Sequence, residues 1–172
     1  TFNGDGGSSS VALMVDTTPT AGEQAWDDVT GATAHRYDVA SGNRDWIQYT
    51  NSSLMDGLTV KLDYVPSDGT TDIESSTAGT ISYTGIEGLT IGLGAGEDNG
   101  EGASASIDVT VANATYAMDA FTIGWSTSES DSNAADSDIT LTAMGVSYAV
   151  NDDLSVSVNQ STHEIEGSSD QD

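Results

Sequence analysis

With 172 residues the chain is long enough for one domain with a sizeable core, or for part of something larger. Its formal net charge of -25 comes from 28 acidic groups against three basic ones, Arg36, Arg44 and Lys61. Such an excess repels nucleic acid phosphates and anionic headgroups and attracts cations. There is no cysteine for a disulfide or a thiolate metal site, and His35 and His163 form no ligand-like pair. No apolar run reaches the roughly 18 residues of a membrane helix.

Residues 1–43, from TFNGDGGSSS to DVASGN, are acidic and irregular. Within 18–29, Thr20 followed three residues later by Glu23 makes a capping box for a short helical turn. There is no initiator methionine and no basic stretch leading into an apolar one, as expected of a processed chain or a fragment.

From Arg44 to the end, residues 44–172, the chain is periodic. The segments DGLTVKL at 56, EGLTIGL at 87, DAFTIGW at 119 and DDLSVSV at 152 share one grammar and start 31, 32 and 33 residues apart. That period suits two strands of about ten residues with one short and one long connection. The dipeptides Asp56-Gly57, Glu87-Gly88, Asp119-Ala120 and Asp152-Asp153 read as tight turns. Strands follow each turn, and others precede it: RDWIQYT at 44, AGTISYT at 78, SIDVTVANATYAM at 106 and ITLTAMGVSYAV at 139. Between hairpins lie PSDGTTDIESS at 66, GEDNGEGAS at 96 and ESDSNAADSD at 129. Connections that alternate short and long are the habit of outer-membrane barrels.

Alternation assigns two rows. Leu58, Val60, Leu62 and Tyr64 correspond to Leu89, Ile91 and Leu93, to Phe121, Ile123 and Trp125, and to Leu154, Val156 and Val158. Their neighbours, including Thr59, Lys61, Asp63, Gly92, Gly124, Ser126 and Asn159, form the polar row. A soluble sandwich would give the same rows. The strand at 139 alternates less cleanly: Thr140, Thr142, Met144, Val146 and Tyr148 suggest a change of face, for which a bulge is the expected device. Tyr49, Tyr83, Tyr116 and Tyr148 fall 7, 4, 3 and 4 residues before their turn acids, with Phe121 just past its own. Aromatics near one level are an interfacial girdle in a membrane barrel, and ordinary strand residues otherwise.

The stretches RDWIQYTNSSLMDGLTVKLDYVPSDG (44–69), ATYAMDAFTIGWSTSESDS (114–132) and ITLTAMGVSYAVNDDLSVSVNQSTHEIEG (139–167) resemble the general diffusion porins of Gram-negative outer membranes, in the form found in marine and other alphaproteobacteria. The resemblance implies an all-β, antiparallel transmembrane β-barrel with about eight strands of a sixteen-stranded wall present. It also implies a homotrimer in the outer membrane that passes small hydrophilic solutes and ions without energy input, with no cofactor and no enzymatic step. In such porins an external loop folds into the lumen, and residues 1–43 have its place. Both ends of the eight-strand set would lie on the long-loop side, as expected for the middle of a larger porin.

Two arrangements follow for the charged groups. Arg36, Arg44 and Lys61 would face some of Asp16, Glu23, Asp27, Asp28 and Asp38 across the constriction, with Asp63 beside Lys61 on the wall. The loops at 96–102 and 129–138 lack the spacing of an EF-hand, so weak, diffuse cation binding is expected there and no defined metal site. His163 is expected at an exposed loop edge. The rival reading is a secreted acidic β-sandwich or adhesin-like protein, calcium-stabilised, with the apolar rows as its core; a secreted β-rich hydrolase is a third, with no catalytic grouping to support it.

Overall fold

The computed structural model describes residues 2–3, 9–14, 17–20, 45–67, 69, 74–99, 106–132 and 138–166. Among these, nine strands form one sheet: β1 (Phe2–Asn3), β2 (Trp46–Asn51), β3 (Leu58–Val65), β4 (Ser76–Ile86), β5 (Leu89–Asp98), β6 (Ile107–Met118), β7 (Phe121–Ser132), β8 (Ile139–Asn151) and β9 (Leu154–Ile165). The eight strands read from the sequence are present, preceded by a two-residue pairing of Phe2 and Asn3 with Ile47 and Trp46. Every pair is antiparallel and joins neighbours in sequence, so the sheet is an open meander.

The short turns fall where the acidic dipeptides predicted them. Gly57 and Gly88 each have φ of 76°, and Asp119 has φ of 52°. Glycine enters this left-handed region without steric cost, and aspartate is among the few other residues that tolerate it. The turns are also tied sideways: Thr84 N donates to Gly57 O (2.8 Å), Ala117 N to Gly88 O (2.8 Å) and Ala149 N to Ala120 O (2.9 Å). A Cβ on Gly88 would collide with that Ala117 carbonyl.

Residues directly opposite in an antiparallel pair share a face. Starting from Leu62, the partners Tyr49 and Gly79 define one face; from Lys61, Thr50 and Thr80 define the other. The first, here the outer face, carries the apolar rows of β3, β5, β7 and β9 together with Ile47, Ile81, Met144 and Val146 from the strands between. These side chains are uncovered: Ile123 is 54 % exposed and Val158 79 %. Toward the long connections the outer face turns polar, with Glu97, Asp108 and Asp131 in adjacent cross-strand positions and Glu129 and Glu164 flanking Thr140. The acidic segments at 96 and 129 therefore begin as strand, which runs on to Asp98 and Ser132.

The inner face is the reverse. Near the short turns it is polar, with Thr90, Thr122 and Ser147; near the long connections it carries an apolar cluster, Val109, Val111, Leu141 and Ala143 buried together, with buried Ser128 and Ser130 of β7 between them. This corrects the expected bulge in β8. Pairing with β7 and β9 runs without a shift from Ile139 to Tyr148, and the only irregularity lies between Ala149 and Asn151. Thr140, Thr142, Met144, Val146 and Tyr148 thus stay on the outer face throughout. What changes along the strand is which face carries the apolar residues.

The far ends of the hairpins are held by side chains. Ser76 Oγ donates to Asp98 Oδ1 (3.0 Å) and accepts from Asn99 N (3.0 Å), while Asn99 Nδ2 donates to Ser75 O (3.2 Å). At the far end of the β8–β9 hairpin the tie is backbone instead: Glu166 N donates to Asp138 O (2.8 Å), just beyond the pair Ile139 and Ile165.

Candidate functional site

The site is the inner face and the segment lying on it, described over 9–14 and 17–20. The segment begins with Ser9–Ser10 and a 3-10 turn at Ala12–Met14, in which Met14 N donates to Val11 O (3.0 Å). Val11 is fully buried against Ala78, Val109, Val111, Leu141 and Ala143, with Met14 and Ile107 packed beside them. The apolar cluster on this face is removed from water by the segment that covers it.

Polar anchors flank this cluster. Ser10 N donates to Asp63 Oδ2 (2.6 Å), and Gln48 Nε2 donates to Asp63 Oδ1 (2.9 Å). Asp63 is buried, and a buried carboxylate needs such donors on both oxygens. In the middle Asn113 Nδ2 donates to Met14 O (2.8 Å). At the far side the hydroxyls of Thr18 and Ser126 lie 3.2 Å apart. The segment crosses from β3 to β8, and it lies close enough that Met14 Cε fills the place of a side chain at Gly92 and Pro19 Cδ that at Gly124.

Of the residues expected at a constriction, Lys61 and Asp63 share the inner face of β3, and Asp63 acts as an anchor of the segment. Arg36, Arg44, Asp16, Glu23, Asp27, Asp28 and Asp38 lie outside the described residues, as does most of the helical turn expected in 18–29. Lys61, Asp63 and Asp98 are the charged side chains on the inner face of the described strands, if His163 is counted neutral; the wall's other strand acids point outward.

The aromatics Tyr49, Tyr83, Tyr116, Tyr148 and Phe121 all occupy the outer face. Tyr83 lies opposite Leu58, Tyr116 opposite Leu89, and Phe121 opposite Tyr148 with ring centroids 4.5 Å apart, all beside the short turns. Tyr49 stands opposite Leu62, farther from its turn.

His163 is corrected: it is 2 % exposed, on the inner face opposite Leu141. Its neighbours Thr162 and Glu164 lie on the other face. Outside the apolar band, Asp138 beside Asp131 holds that carboxyl above its ordinary range, with slight burial, the hydrogen bond between the two and Asp108 adding to the effect. Among the described residues no group of three or more His, Asp or Glu side chains is disposed to hold a metal ion.

Sequence reasoning missed Asn113, Ser126, Gly92 and Gly124 as partners of the segment. One signal was available: Lys61, Gly92, Gly124 and Ser157 occupy the same place in the repeat, five residues after the turn acid, and two of the four are glycine.

The outer face is thus apolar in a band and acidic beyond it, while the inner face is polar or covered by a strap of the same chain. In comparison with known proteins, no curated protein matches. Among protein families, residues 4–172 match the one described as Gram-negative porin. That family is one of passive outer-membrane channels whose wall is a β-barrel, and the chain belongs to it.

Proposed function

We propose that the chain forms part of the wall of a cation-preferring diffusion channel for small hydrophilic solutes, assembled as a homotrimer, with the inner segment narrowing the lumen. The observation that carries this reading is the inversion of the two faces: the apolar band is uncovered on one side, and the segment lies on the other. The sandwich alternative needs a second sheet over the apolar row, whereas among the described residues there is one sheet and that row is uncovered. Tyr83, Tyr116, Phe121 and Tyr148 act as the girdle at the short-turn interface, with Tyr49 deeper in the band; their outward placement supports this.

Cation preference follows from charge distribution. A formal charge of -25 raises the local concentration of cations near the mouth, and the outward acids on β5, β6, β7 and β9 gather it at the long-connection end. Within the lumen, Arg36, Arg44 and Lys61 set against some of Asp16, Glu23, Asp27, Asp28 and Asp38 create a transverse field that orients polar solutes. The test uses the full-length protein in a planar bilayer under a salt gradient. Discrete, roughly ohmic steps with a reversal potential of cationic sign are expected, and Lys61→Gln strengthens that sign. A folded sample without steps removes the channel, and an anionic sign removes the preference.

A further inference from the structure

The inner segment lies on places where the wall has no side chain. At Gly124 the position of a Cβ is occupied by Pro19 Cδ, and at its cross-strand neighbour Gly145 a Cβ would stand 2.8 Å from Thr18 Cγ2. At Gly92 the occupant is Met14 Cε, with Asn113 Oδ1 at 2.6 Å. These contacts differ in kind. Met14 Cε is the end of a flexible side chain and can swing aside, whereas Pro19 Cδ is bonded to the segment's own backbone nitrogen. A side chain at 124 therefore displaces the backbone of the segment itself. At the opposite end Asp63 holds Ser10 N at 2.6 Å while Gln48 fixes the carboxylate.

We propose that Gly124 and Asp63 are positioning residues for permeation: together they set how closely the segment lies against the wall, and hence the size limit of the channel. The inference rests on the reading of the inner face as the lumen. It assigns the size limit to wall positions that touch no solute, and it gives the two residues the same sign. A side chain at 124 lifts the segment away from the wall and into the lumen. Weakening the carboxylate anchor at 63 releases the other end from the wall, also toward the lumen.

The experiment measures swelling of liposomes containing the full-length protein in a graded series of neutral sugars, which do not respond to the charge change at 63. Gly124→Val is suitable because valine favours strands, and Gly124→Ala is the milder variant should valine prevent folding. Asp63→Asn keeps the shape of the side chain and weakens its hydrogen bond to Ser10. Folding is checked by the shift in gel mobility on heating that folded barrels give.

The quantity read is the rate for a large sugar divided by that for a small one. A Cβ stands about 1.5 Å from its Cα, the length of a carbon–carbon single bond, and a shift of that size in a pore of solute dimensions slows a large sugar more than a small one. Gly124→Val, or Gly124→Ala, lowers the ratio and so does Asp63→Asn. Folded variants that leave the ratio at the wild-type value, or raise it, overturn the proposal. Folded wild-type protein that passes no sugar overturns the channel reading as well, and so separates the two failures.

Discussion

Truncating Val11 to alanine probes the contact that holds the inner segment to the wall. Val11 is fully buried against Ala78, Val109, Val111, Leu141 and Ala143. The substitution removes two buried carbons at about 0.8 kcal/mol each and leaves a small cavity, so the docked segment loses about 2 kcal/mol. With a tenfold change for each 1.4 kcal/mol, its local opening becomes about 30-fold more frequent. The reporter is the amide of Met14, which donates to Val11 O at 3.0 Å within the segment. Hydrogen exchange in detergent micelles should show this amide accelerated by that factor, while the amides of β6 and β8 at Val111 and Leu141 keep wild-type protection. Unchanged exchange at Met14 would refute the claim that burial of Val11 holds the segment. Equal acceleration at Met14, Val111 and Leu141 would show that Val11 stabilises the sheet as a whole and not the docking.

Two further outcomes follow from the faces and the rim. Ile123→Arg places a charge within the uncovered apolar band, opposite the girdle residue Tyr116, and should cost about 1–2 kcal/mol, between the interfacial and midplane values, read as a shift in the urea midpoint for folding into lipid vesicles; an unshifted midpoint would place Ile123 in water. Asp131, held above its ordinary value of 3.8 chiefly by Asp138, makes the folded rim bind more protons than the unfolded chain between 3.8 and its raised pKa. Stability from this group therefore falls as pH rises through that window, and Asp138→Asn should lower the midpoint of the Asp131 carboxyl seen by NMR; a midpoint unmoved by that change would remove Asp138 as the cause.

The hairpins were legible because two independent signals coincide in them. Acidic dipeptides mark the turns at Asp56, Glu87, Asp119 and Asp152, and the alternation after each turn fixes which residues share a face. Parity is as far as that signal reaches. It put Thr140 and Tyr148 in one row but could not show that the apolar residues move to the other row near the long connections, because what covers Val109 and Leu141 is Val11, far away in sequence. The anchors are similarly remote: Asn113 reaches Met14 across 99 residues, and Thr18 meets Ser126 across 108. His163 shows the same limit, since only the pairing with Leu141 reveals that its face is the buried one. The run Val-Ala-Leu-Met at 11–14, apolar within an otherwise polar stretch, was the local trace of the docking.

The meander has a bearing on how such a wall can change over time. Each repeat, 31 to 33 residues from one turn acid to the next, carries one strand up and one strand down. Duplicating or deleting one such stretch adds or removes two strands, keeps every remaining side chain on its face and returns the chain to the same side of the membrane. A gain or loss of a single strand would instead reverse the direction of everything downstream and bring turns and loops to the wrong sides. Recombination at the acidic turns is thus a route by which pores of different girth arise from one hairpin, without a new rule for any residue within it.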